Sequence, residues 1–532
     1  MIKAYLLMHI KTKKRINKDG SATEYLHLVE SYTSKYGKKK HKTIAYLGKK
    51  EDPKFQQKME KLALKLASLT GLCSLEDLND ELSCVWSKNI GPKLVFRKLW
   101  NDLKFDLILD GKFHEHIFMM VLNRLCDPQS KLSCIKWKEG IYEPLWNNLK
   151  LHELYRALDW LMINKEKVEL DIFNNVRDVF NQGLDLMLFD TTSVSYWGEA
   201  EECPELLRFG FSKDNRDDLK QLIVGLLMTG KGIPVAHEVY PGNQVDVKTF
   251  PQIISKVKDK FNLERVIWVC DRGMISENNI KLLEEIKHEY IIGVKMRMLN
   301  SAQKEVLLNR PFKEFKKIHN NLYVCEITIN DKRYIVCYNP EQAEQDAINR
   351  AHFKRIVQDK VVHLTDKSWI MKNGYKKYIK LKEDIIEGVD YEKLEKEKIY
   401  DGKWVLVTNT KLKYPEIAKY YKSLWQIERA FRELKSSLDV KPMYHWTERR
   451  IRGHIFICFL ALVLELGFRN KLGKASYSSV MKDLDRLQAV LTKIKDVEII
   501  KTTKPVGTTE YAFESVQLQL PGITGYRPQS SL

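Results

Sequence analysis

The chain has 532 residues and a formal net charge of +19, with 89 Lys and Arg residues against 70 Asp and Glu residues. This length suffices for two to four domains with a substantial core. The charge favours a polyanionic partner, with nucleic acid the first candidate, and the alternative is a generally lysine-rich composition. The nine cysteines form no CxxC pair and no zinc-type spacing, which argues against a disulfide scaffold and favours a reducing cytoplasm.

The sequence also argues against a membrane protein. Basic residues follow the N-terminal apolar run, which is the reverse of a signal peptide. The apolar run at 455–466 contains Glu465 and is too short to span a bilayer, so it predicts a buried helix. We therefore expect a cytoplasmic protein without a membrane partner.

Residues 1–52 are predicted to form a small basic β unit that binds DNA. Strand-like segments at 3–10 and 25–32 flank a polar turn, and a third follows at 43–48. Residues 1–50 contain 13 Lys and Arg and three Asp and Glu, a net charge of +10. Cations concentrated on a small module neutralise phosphates and release counterions. An ordinary solvated hairpin is the alternative.

Residues 53–180 are predicted to be mainly helical. Apolar residues recur at helical spacing in four segments, at 55–68, 91–103, 113–126 and 151–164. No helix-turn-helix pattern identifies a recognition helix. These apolar faces are therefore interpreted as core rather than as a surface that reads bases.

Two short apolar runs further along the chain end on an aspartate. One ends at Asp190 and the other at Asp271, and each reads as a buried central strand. The pattern around them predicts strand, hairpin, helix, strand, helix and strand in this order. An aspartate at the end of such a strand is held by a rigid element and still faces the edge of the sheet.

The segment between Asp271 and the helix predicted at 414–439 is long. Residues 297–410 contain strand-like runs at 322–329, 332–339 and 403–409 and a charged stretch at 371–384. We interpret them as a β-rich insertion.

Residues 414–439 read as one amphipathic helix. An apolar face follows helical spacing, and Glu428, Arg432 and Lys435 share a second face at i, i+4 and i+7. A solvated ladder of ion pairs is the alternative interpretation of that second face. Glu433, about 140° around the helix from Glu428, is expected to point away.

Together, two strand-end aspartates and one helical glutamate can hold two Mg²⁺ ions, because hard cations prefer carboxylate oxygens. Two such ions roughly 4 Å apart can activate an attacking oxygen and stabilise a leaving oxygen at a phosphodiester. Asp246 is an alternative fourth ligand, although a turn cap is the favoured interpretation.

The order Asp190, Asp271, Glu428 resembles that of the DDE transposases of bacterial insertion sequences, whose catalytic domain is RNase H-like. The helix at 414–439 also resembles the Y-x2-R-x3-E-x6-K motif of this family. Tyr421, Glu428 and Lys435 match the motif, whereas Leu424 stands at the arginine position. The resemblance is strongest over 184–470 and includes FGFSKDNRDDLKQ at 209–221, YPGNQVD at 240–246 and KPMYHWTERRIRGHI at 441–455.

The resemblance implies an α/β fold. It places an RNase H-like mixed sheet flanked by helices at 181–296 and 411–475, interrupted by the β-rich insertion at 297–410. The basic β unit at 1–52 and a helical DNA-binding or end-recognition region at 53–180 precede it. A C-terminal tail at 476–532 follows it, and beyond Pro505 this tail is turn-rich and ordered only in part.

The resemblance also implies a function. The protein would bind the terminal inverted repeats of its insertion sequence, cut DNA at the ends and join the 3′-hydroxyl to target DNA. Its partners would be double-stranded DNA and a second copy in a homodimer, at the nucleoid in the bacterial cytoplasm.

Residue roles follow from the same resemblance. Asp190, Asp271 and Glu428 would be the catalytic ligands of two Mg²⁺ ions, for which Mn²⁺ substitutes. Trp404, in the insertion, or Trp425 could stack on a flipped base, although buried core tryptophans are the favoured interpretation. DNA contacts would come from Tyr421 and Lys435, from Arg432 or Arg429 in place of the missing arginine, and from Lys213 and Arg216.

Two other functions use the same residues. A transposase-derived DNA-binding protein without catalysis is one, and Leu424 is the feature that favours it. A metal-dependent nuclease that cuts DNA without joining strands is the other.

Overall fold

The computed structural model describes most of the chain, which divides into two compact units. One unit comprises Met1–Ser87, Val490–Thr502 and Gly522–Leu532, and the other Lys88–Ala489 and Thr503–Pro521. The described residues are 7–17, 21–33, 39–50, 52, 59, 61, 82–109, 111–180, 186–198, 203–261, 265–274, 276–361, 379–382, 385–494, 497–521 and 523–528.

The first unit contains the predicted N-terminal β unit as an antiparallel three-stranded sheet. Its strands are β1 (Leu7–Ile16), β2 (Ala22–Thr33) and β3 (Lys39–Lys49), with β2 in the centre. All three predicted strands are confirmed. The helix predicted at 55–68 lies outside the described residues, apart from two isolated positions.

A second sheet of four strands includes the C-terminal tail, in the order β18–β17–β16–β4. The tail beyond Pro505 is predicted to be turn-rich, yet one of these strands, β18, lies there. Strand β16 pairs with β4, which the sequence pattern does not predict. The strands are β4 (Leu82–Asn89), β16 (Gln488–Ile494), β17 (Val497–Thr502) and β18 (Ile523–Pro528).

In the second unit, a helical region comes first. The helices predicted at 91–103, 113–126 and 151–164 are confirmed as α1, α3 and α5. The region consists of α1 (Gly91–Asp102), α2 (Phe105–Ile108), α3 (His114–Cys126), α4 (Lys131–Trp137), α5 (Leu151–Ile163) and α6 (Lys165–Phe180).

The core of the second unit is a mixed sheet whose central strands are β5 (Leu186–Ser195), β6 (Gln221–Thr229), β7 (Pro234–Pro241), β8 (Ile267–Cys270) and β9 (Glu289–Gly293). Strands β5, β8 and β9 run parallel, and β6 and β7 pair antiparallel. The spatial order β9–β8–β5–β6–β7, with this pattern of directions, is an RNase H-like sheet. Helices α7 (Asp246–Phe261) and α8 (Glu277–Glu285) connect its strands. The predicted fold class is thus confirmed.

The predicted insertion extends this same sheet. Its three predicted strands are present, and one of them, β15, pairs with β9, so the full sheet has nine strands in the order β10–β11–β12–β15–β9–β8–β5–β6–β7. The insertion contains α9 (Ser301–Leu308), β10 (Lys316–His319), β11 (Leu322–Ile329), β12 (Lys332–Tyr338), α10 (Pro340–Val361), β13 (Ile379–Lys382), β14 (Ile385–Val389), α11 (Tyr391–Lys396) and β15 (Lys403–Thr408).

The segment at 414–439 forms two helices, so the prediction of one continuous helix is wrong. They are α12 (Tyr414–Lys422) and α13 (Trp425–Lys435). At the break, the Ser423 hydroxyl donates to the carbonyl of Tyr420 at 2.5 Å. A serine side chain that bonds to nearby backbone competes with the helix and favours its end.

A buried helix, α14 (Glu448–Leu472), packs against α3, α5 and β7 in the interior. By length and composition it passes as a membrane span, yet 94% of its apolar window is buried inside the protein. This burial is typical of a core helix, as predicted for 455–466. Two short helices, α15 (Tyr477–Leu484) and α16 (Thr509–Ser515), complete the described elements.

Candidate active site

Asp190 and Asp271 lie side by side because their strands are neighbours in register. Strand β5 pairs in parallel with β8, and the last paired residues are Phe189 and Cys270. Asp190 and Asp271 are the next residues along the chain after this pair. Asp271 comes directly after the end of β8, whereas Asp190 lies within β5, which continues to Ser195 along β6. Asp190 lies level with the end of β8, and beyond it, among the described strands, β5 pairs only with β6.

Glu428 reaches the same place from α13. The helix packs on β5, and buries Ile427, Ala430, Phe431 and Leu434. Glu428 is on the exposed side of the helix. The structure therefore brings all three predicted carboxylates to one cavity of about 290 Å³, which is lined by Asp190, Asp271, Trp404, Tyr421, Lys422, Leu424, Trp425, Ile427 and Glu428.

Asp190 is half-buried, whereas Asp271 and Glu428 are exposed. Burial raises the pKa of Asp190 to about 6, and the charges of Asp246 and Asp271 contribute to the rise. The charge of Lys213 and a hydrogen bond from the N–H of Thr191, at 2.7 Å, act in the opposite direction. Lys213 thus does not compensate for the cost that burial puts on the charge of Asp190, and a cation bound by hard oxygen donors would offset that cost.

Asp246 belongs to this neighbourhood. It is the first residue of α7, and its carboxylate accepts a hydrogen bond from the Thr191 hydroxyl and lies 3.4 Å from Lys213 Nζ. The turn-cap interpretation misses these contacts. They depend on the fold of two distant segments, and the only local signal for them is the run of polar residues that follows Asp190.

Tyr421 contacts a catalytic candidate directly. Its hydroxyl donates to Asp271 Oδ1 at 3.2 Å, and burial together with the charge of Asp271 raises the pKa of this tyrosine. A Cβ at Gly293 would lie 2.4 Å from the hydroxyl oxygen, so this approach requires glycine on β9. Tyr421 therefore orients Asp271, and its predicted contact with DNA stays a prediction.

The other predicted DNA-binding residues differ in their exposure and in their pairing with other side chains. Arg432 is exposed on the Glu428 side of α13. Lys213 Nζ donates to the carbonyl of Thr191 at 2.7 Å, and Lys435 Nζ donates to Asp214 at 2.7 Å. Arg216 pairs with Asp218 at 2.7 Å and stacks on an exposed tryptophan.

Two predictions about neighbouring side chains are settled by exposure and pairing. Trp425 is 54% exposed and lines the cavity with Trp404, so its interpretation as a core tryptophan is wrong. Glu433 pairs with Arg469 at 3.0 Å, which confirms that it points away from the site. Arg429 lies 3.8 Å from Glu433 and is drawn to that side, so Arg432 is the better replacement for the arginine missing at Leu424.

A separate acidic group lies between α6 and β7. Ligand atoms of Glu166, Glu169 and Glu238 all lie within 4.8 Å of one another, the one such group of three among the described residues. Lys165 Nζ is 2.8 Å from Glu169 and 3.1 Å from Glu238, and already supplies the counter-charge.

Comparison with known proteins identifies the class of this architecture. Residues 190–464, more than half of the chain, match the sequence model of the transposase DDE domain. The chain therefore belongs to the DDE transposase family. Residues 10–71 match the N-terminal domain of IS1634 family transposases, which marks it as a transposase of an insertion sequence.

Solved transposases show distant similarity. The piggyBac transposase synaptic complex with hairpin DNA aligns at 11% identity over 75% of this chain and 80% of its own, with a TM-score of 0.37. Two Mos1 paired-end complexes, one with the left transposon end and one with Mn, align at 13% identity and a TM-score of 0.15. They cover 34% and 37% of this chain and 59% and 66% of their own. A comparison with curated proteins finds no match.

We predict that the metal-free Asp190→Asn variant is more stable than the wild type at pH 8. The folded-state pKa of about 6 lies above the ordinary value of 3.8, so the stabilisation by a protonated carboxyl is lost as the pH rises through 6. Removing the charge should add on the order of 2 kcal/mol at pH 8 and nothing below about pH 4. Thermal unfolding at several pH values measures the difference.

The matched control is Glu344→Gln, a neutralised carboxylate at an exposed helical position. It should leave the midpoint of unfolding unchanged at every pH. Added Mg²⁺ should stabilise the wild type more than Asp190→Asn. An Asp190→Asn protein that is no more stable than the wild type at pH 8 would contradict the uncompensated charge.

Proposed function

We propose that this transposase cuts DNA at the ends of its insertion sequence and joins the freed 3′-hydroxyl to target DNA. The observation that supports the proposal most strongly is the meeting of Asp190, Asp271 and Glu428 in one cavity. Two are held by neighbouring parallel strands and one by a helix packed on them. Rigid elements hold reacting groups more accurately than loops do.

The three carboxylates would hold two Mg²⁺ ions, with Mn²⁺ as a substitute. When bound, such ions supply Lewis acidity to the attacking and leaving oxygens of a phosphodiester. Asp190, the least exposed of the three, would share an ion with its neighbour Asp271. Tyr421, by its hydrogen bond to Asp271, would fix the orientation of that ligand.

The reaction would proceed in two steps at phosphorus. In the first, the oxygen of water bonds to the phosphorus at the end of the element, and the bond from phosphorus to O3′ breaks. The departing O3′ takes up a proton to give a 3′-hydroxyl. In the second, this hydroxyl attacks a phosphorus of target DNA, loses its proton, and displaces a target O3′. Each step forms one phosphorus–oxygen bond and breaks one, so the reaction needs no nucleotide cofactor.

Several cations would hold DNA at this site. Arg432 and Lys435 share the face of α13 that carries Glu428, and Lys213 and Arg216 come from the loop after β5. Because two ends have to be brought together, we propose that a homodimer acts on double-stranded DNA at the nucleoid. The helical region at 53–180 would contribute to recognition of the terminal inverted repeats.

The N-terminal sheet offers a further surface for the same DNA. Successive residues of a strand point to opposite faces. On β1, the exposed side chains of Lys11, Lys13 and Arg15 therefore lie on one face and Lys14 on the other. We name these the Lys13 face and the Lys14 face.

The two faces differ in net charge. Both acidic residues of the described strands β1–β3, Glu24 and Glu30, lie on the Lys14 face, opposite Lys14 and Met8 in the register. Glu24 pairs with Lys14 at 3.1 Å and with Lys50 at 2.8 Å. The cations of the Lys13 face have no such acidic counterpart in the strands. This face is therefore the one proposed to bind phosphates.

We predict that Glu428→Gln abolishes strand cleavage and leaves binding of the terminal repeat intact. The amide keeps the shape of the side chain and removes the charge that would hold a metal. Cleavage of a labelled terminal-repeat duplex in Mg²⁺ should fall by about a thousandfold or more. Glu433→Gln, on the same helix but turned away, should retain cleavage. Full cleavage by Glu428→Gln would refute the site.

We predict that Lys13→Ala weakens DNA binding more than Lys14→Ala. The first removes a charge with no acidic partner in the described strands, and the second removes a charge that Glu24 offsets in part, because Glu24 is shared with Lys50. The slope of log affinity against log salt concentration should decrease by about 0.9 for Lys13→Ala, and by clearly less for Lys14→Ala. Fluorescence anisotropy with the terminal repeat measures both slopes. Equal losses in the two variants would rule out the Lys13 face.

A further inference from the structure

Asp214, in the loop between β5 and β6, holds two lysines that come from another part of the chain. Its Oδ1 accepts a hydrogen bond from Lys435 Nζ at 2.7 Å, and its Oδ2 accepts one from Lys441 Nζ at 2.9 Å. Lys435 is the last residue of α13, and Lys441 lies in the segment that follows. The three side chains are only 19%, 19% and 27% exposed, so the cluster is partly shielded from solvent.

The loop that presents Asp214 is fixed before any ligand binds. The Ser193 hydroxyl oxygen, on β5, accepts a hydrogen bond from the N–H of Lys213 at 2.8 Å. The Ser212 hydroxyl oxygen accepts from the N–H groups of Asp214 at 3.3 Å and of Arg216 at 3.0 Å. The carboxylate of Asp214 is therefore held by the strand that carries Asp190.

Electrostatics keep the cluster charged. Burial raises the pKa of Asp214, but the hydrogen bonds and charges of Lys435 and Lys441 outweigh this effect and lower it. Burial lowers the pKa of Lys435, and the charges of Lys441 and Lys213 lower it further, whereas Asp214 acts in the opposite direction. The pair of ammonium groups is thus stable only with the carboxylate between them.

The cluster is linked to the catalytic cavity. Lys213 donates to the carbonyl of Thr191, next to Asp190, and its charge acts on both Asp190 and Lys435. Lys435 shares a helix face with Glu428. Two ammonium groups with one carboxylate leave one net positive charge, which matches the charge of one DNA phosphate. A phosphate has oxygens enough to accept from both lysines while Asp214 holds them.

We propose that Asp214 is a positioning residue, which holds Lys435 and Lys441 together as a binding site for one DNA phosphate beside the catalytic carboxylates. This inference rests on the proposed function for the identity of the ligand. Without Asp214, the like charges of the lysines repel, and their long side chains regain rotamer freedom. Asp214 also ties the loop after β5 to the end of α13, and so joins the elements that carry Asp190 and Glu428.

The first test measures binding of the full chain to a terminal-repeat duplex in which one phosphate at a time is replaced by an uncharged methylphosphonate. At one position near the boundary, this replacement should weaken wild-type binding about tenfold. Asp214→Asn should lose that dependence and bind all duplexes alike, as should the Lys435→Ala/Lys441→Ala double variant. The same single-phosphate dependence in Asp214→Asn and wild type would overturn the proposal, as would none in the wild type.

The second test separates positioning from a general loss of structure. Asp214→Asn should cleave the unmodified duplex at least tenfold more slowly, and its affinity for that duplex should fall only to the affinity of the wild type for the duplex with the critical methylphosphonate. Asp214→Glu should recover part of the cleavage. A loss of affinity well beyond that level, or unchanged cleavage, would count against positioning.

Glu238→Gln is the matched control, because Glu238, on β7, also holds two lysines, Lys165 at 3.1 Å and Lys256 at 2.7 Å. It should lose comparable thermal stability and keep the single-phosphate dependence. Wild-type protein that shows this dependence but cannot cleave would refute the proposed reaction and leave the role of Asp214 standing.

Discussion

The pairing of β5 with β8 is the constraint on which the rest of the site depends. It places Asp190 and Asp271 one step beyond the same pair of residues, on strands that neighbouring elements hold on both sides. Two carboxylates at this separation repel each other, and burial of Asp190 adds to the cost of ionising it. The fold can maintain the arrangement because the apolar strands below it are fully buried, and their packing outweighs the local repulsion. In the proposed function, this negative charge is what would attract the metal ions.

Carboxylates line the cavity, and lysines lie next to it. Asp190, Asp271 and Glu428 line the cavity, and Lys213 lies against Asp246 next to Asp190. The two lysines that Asp214 holds come from the end of α13 and from the segment after it. A polyanion that approaches this surface meets these lysines first. In the absence of metal, the carboxylates of the cavity would repel it. Substrate and metal would therefore favour each other's binding, since each reduces the charge that opposes the other.

Much of this structure was accessible from the sequence, and the misses have physical causes. Apolar runs predicted β5 and β8, because a short strand that is buried on both faces is a continuous apolar run without alternation. Amphipathic spacing predicted which face of α13 carries Glu428. The break at Ser423 was missed, since one side-chain hydrogen bond to the backbone decided it while the apolar spacing continued across it. Asp246 and Asp214 were beyond reach, because their partners are distant in sequence and become neighbours only in the folded sheet. The C-terminal strands were missed for the same reason, as β16 pairs with β4.

The path of the insertion has a consequence for how this chain can vary. The insertion leaves the sheet after β9 and returns as β15, the strand directly beside it, before α12 and α13 begin. Its two ends are thus anchored next to each other, and a segment between adjacent anchors can lengthen or shorten at small entropic cost. Relatives could gain or lose whole elements here while the glutamate-bearing helix keeps its place over β5. In this sense the sheet isolates the reacting centre from changes in the size of the module inserted beside it.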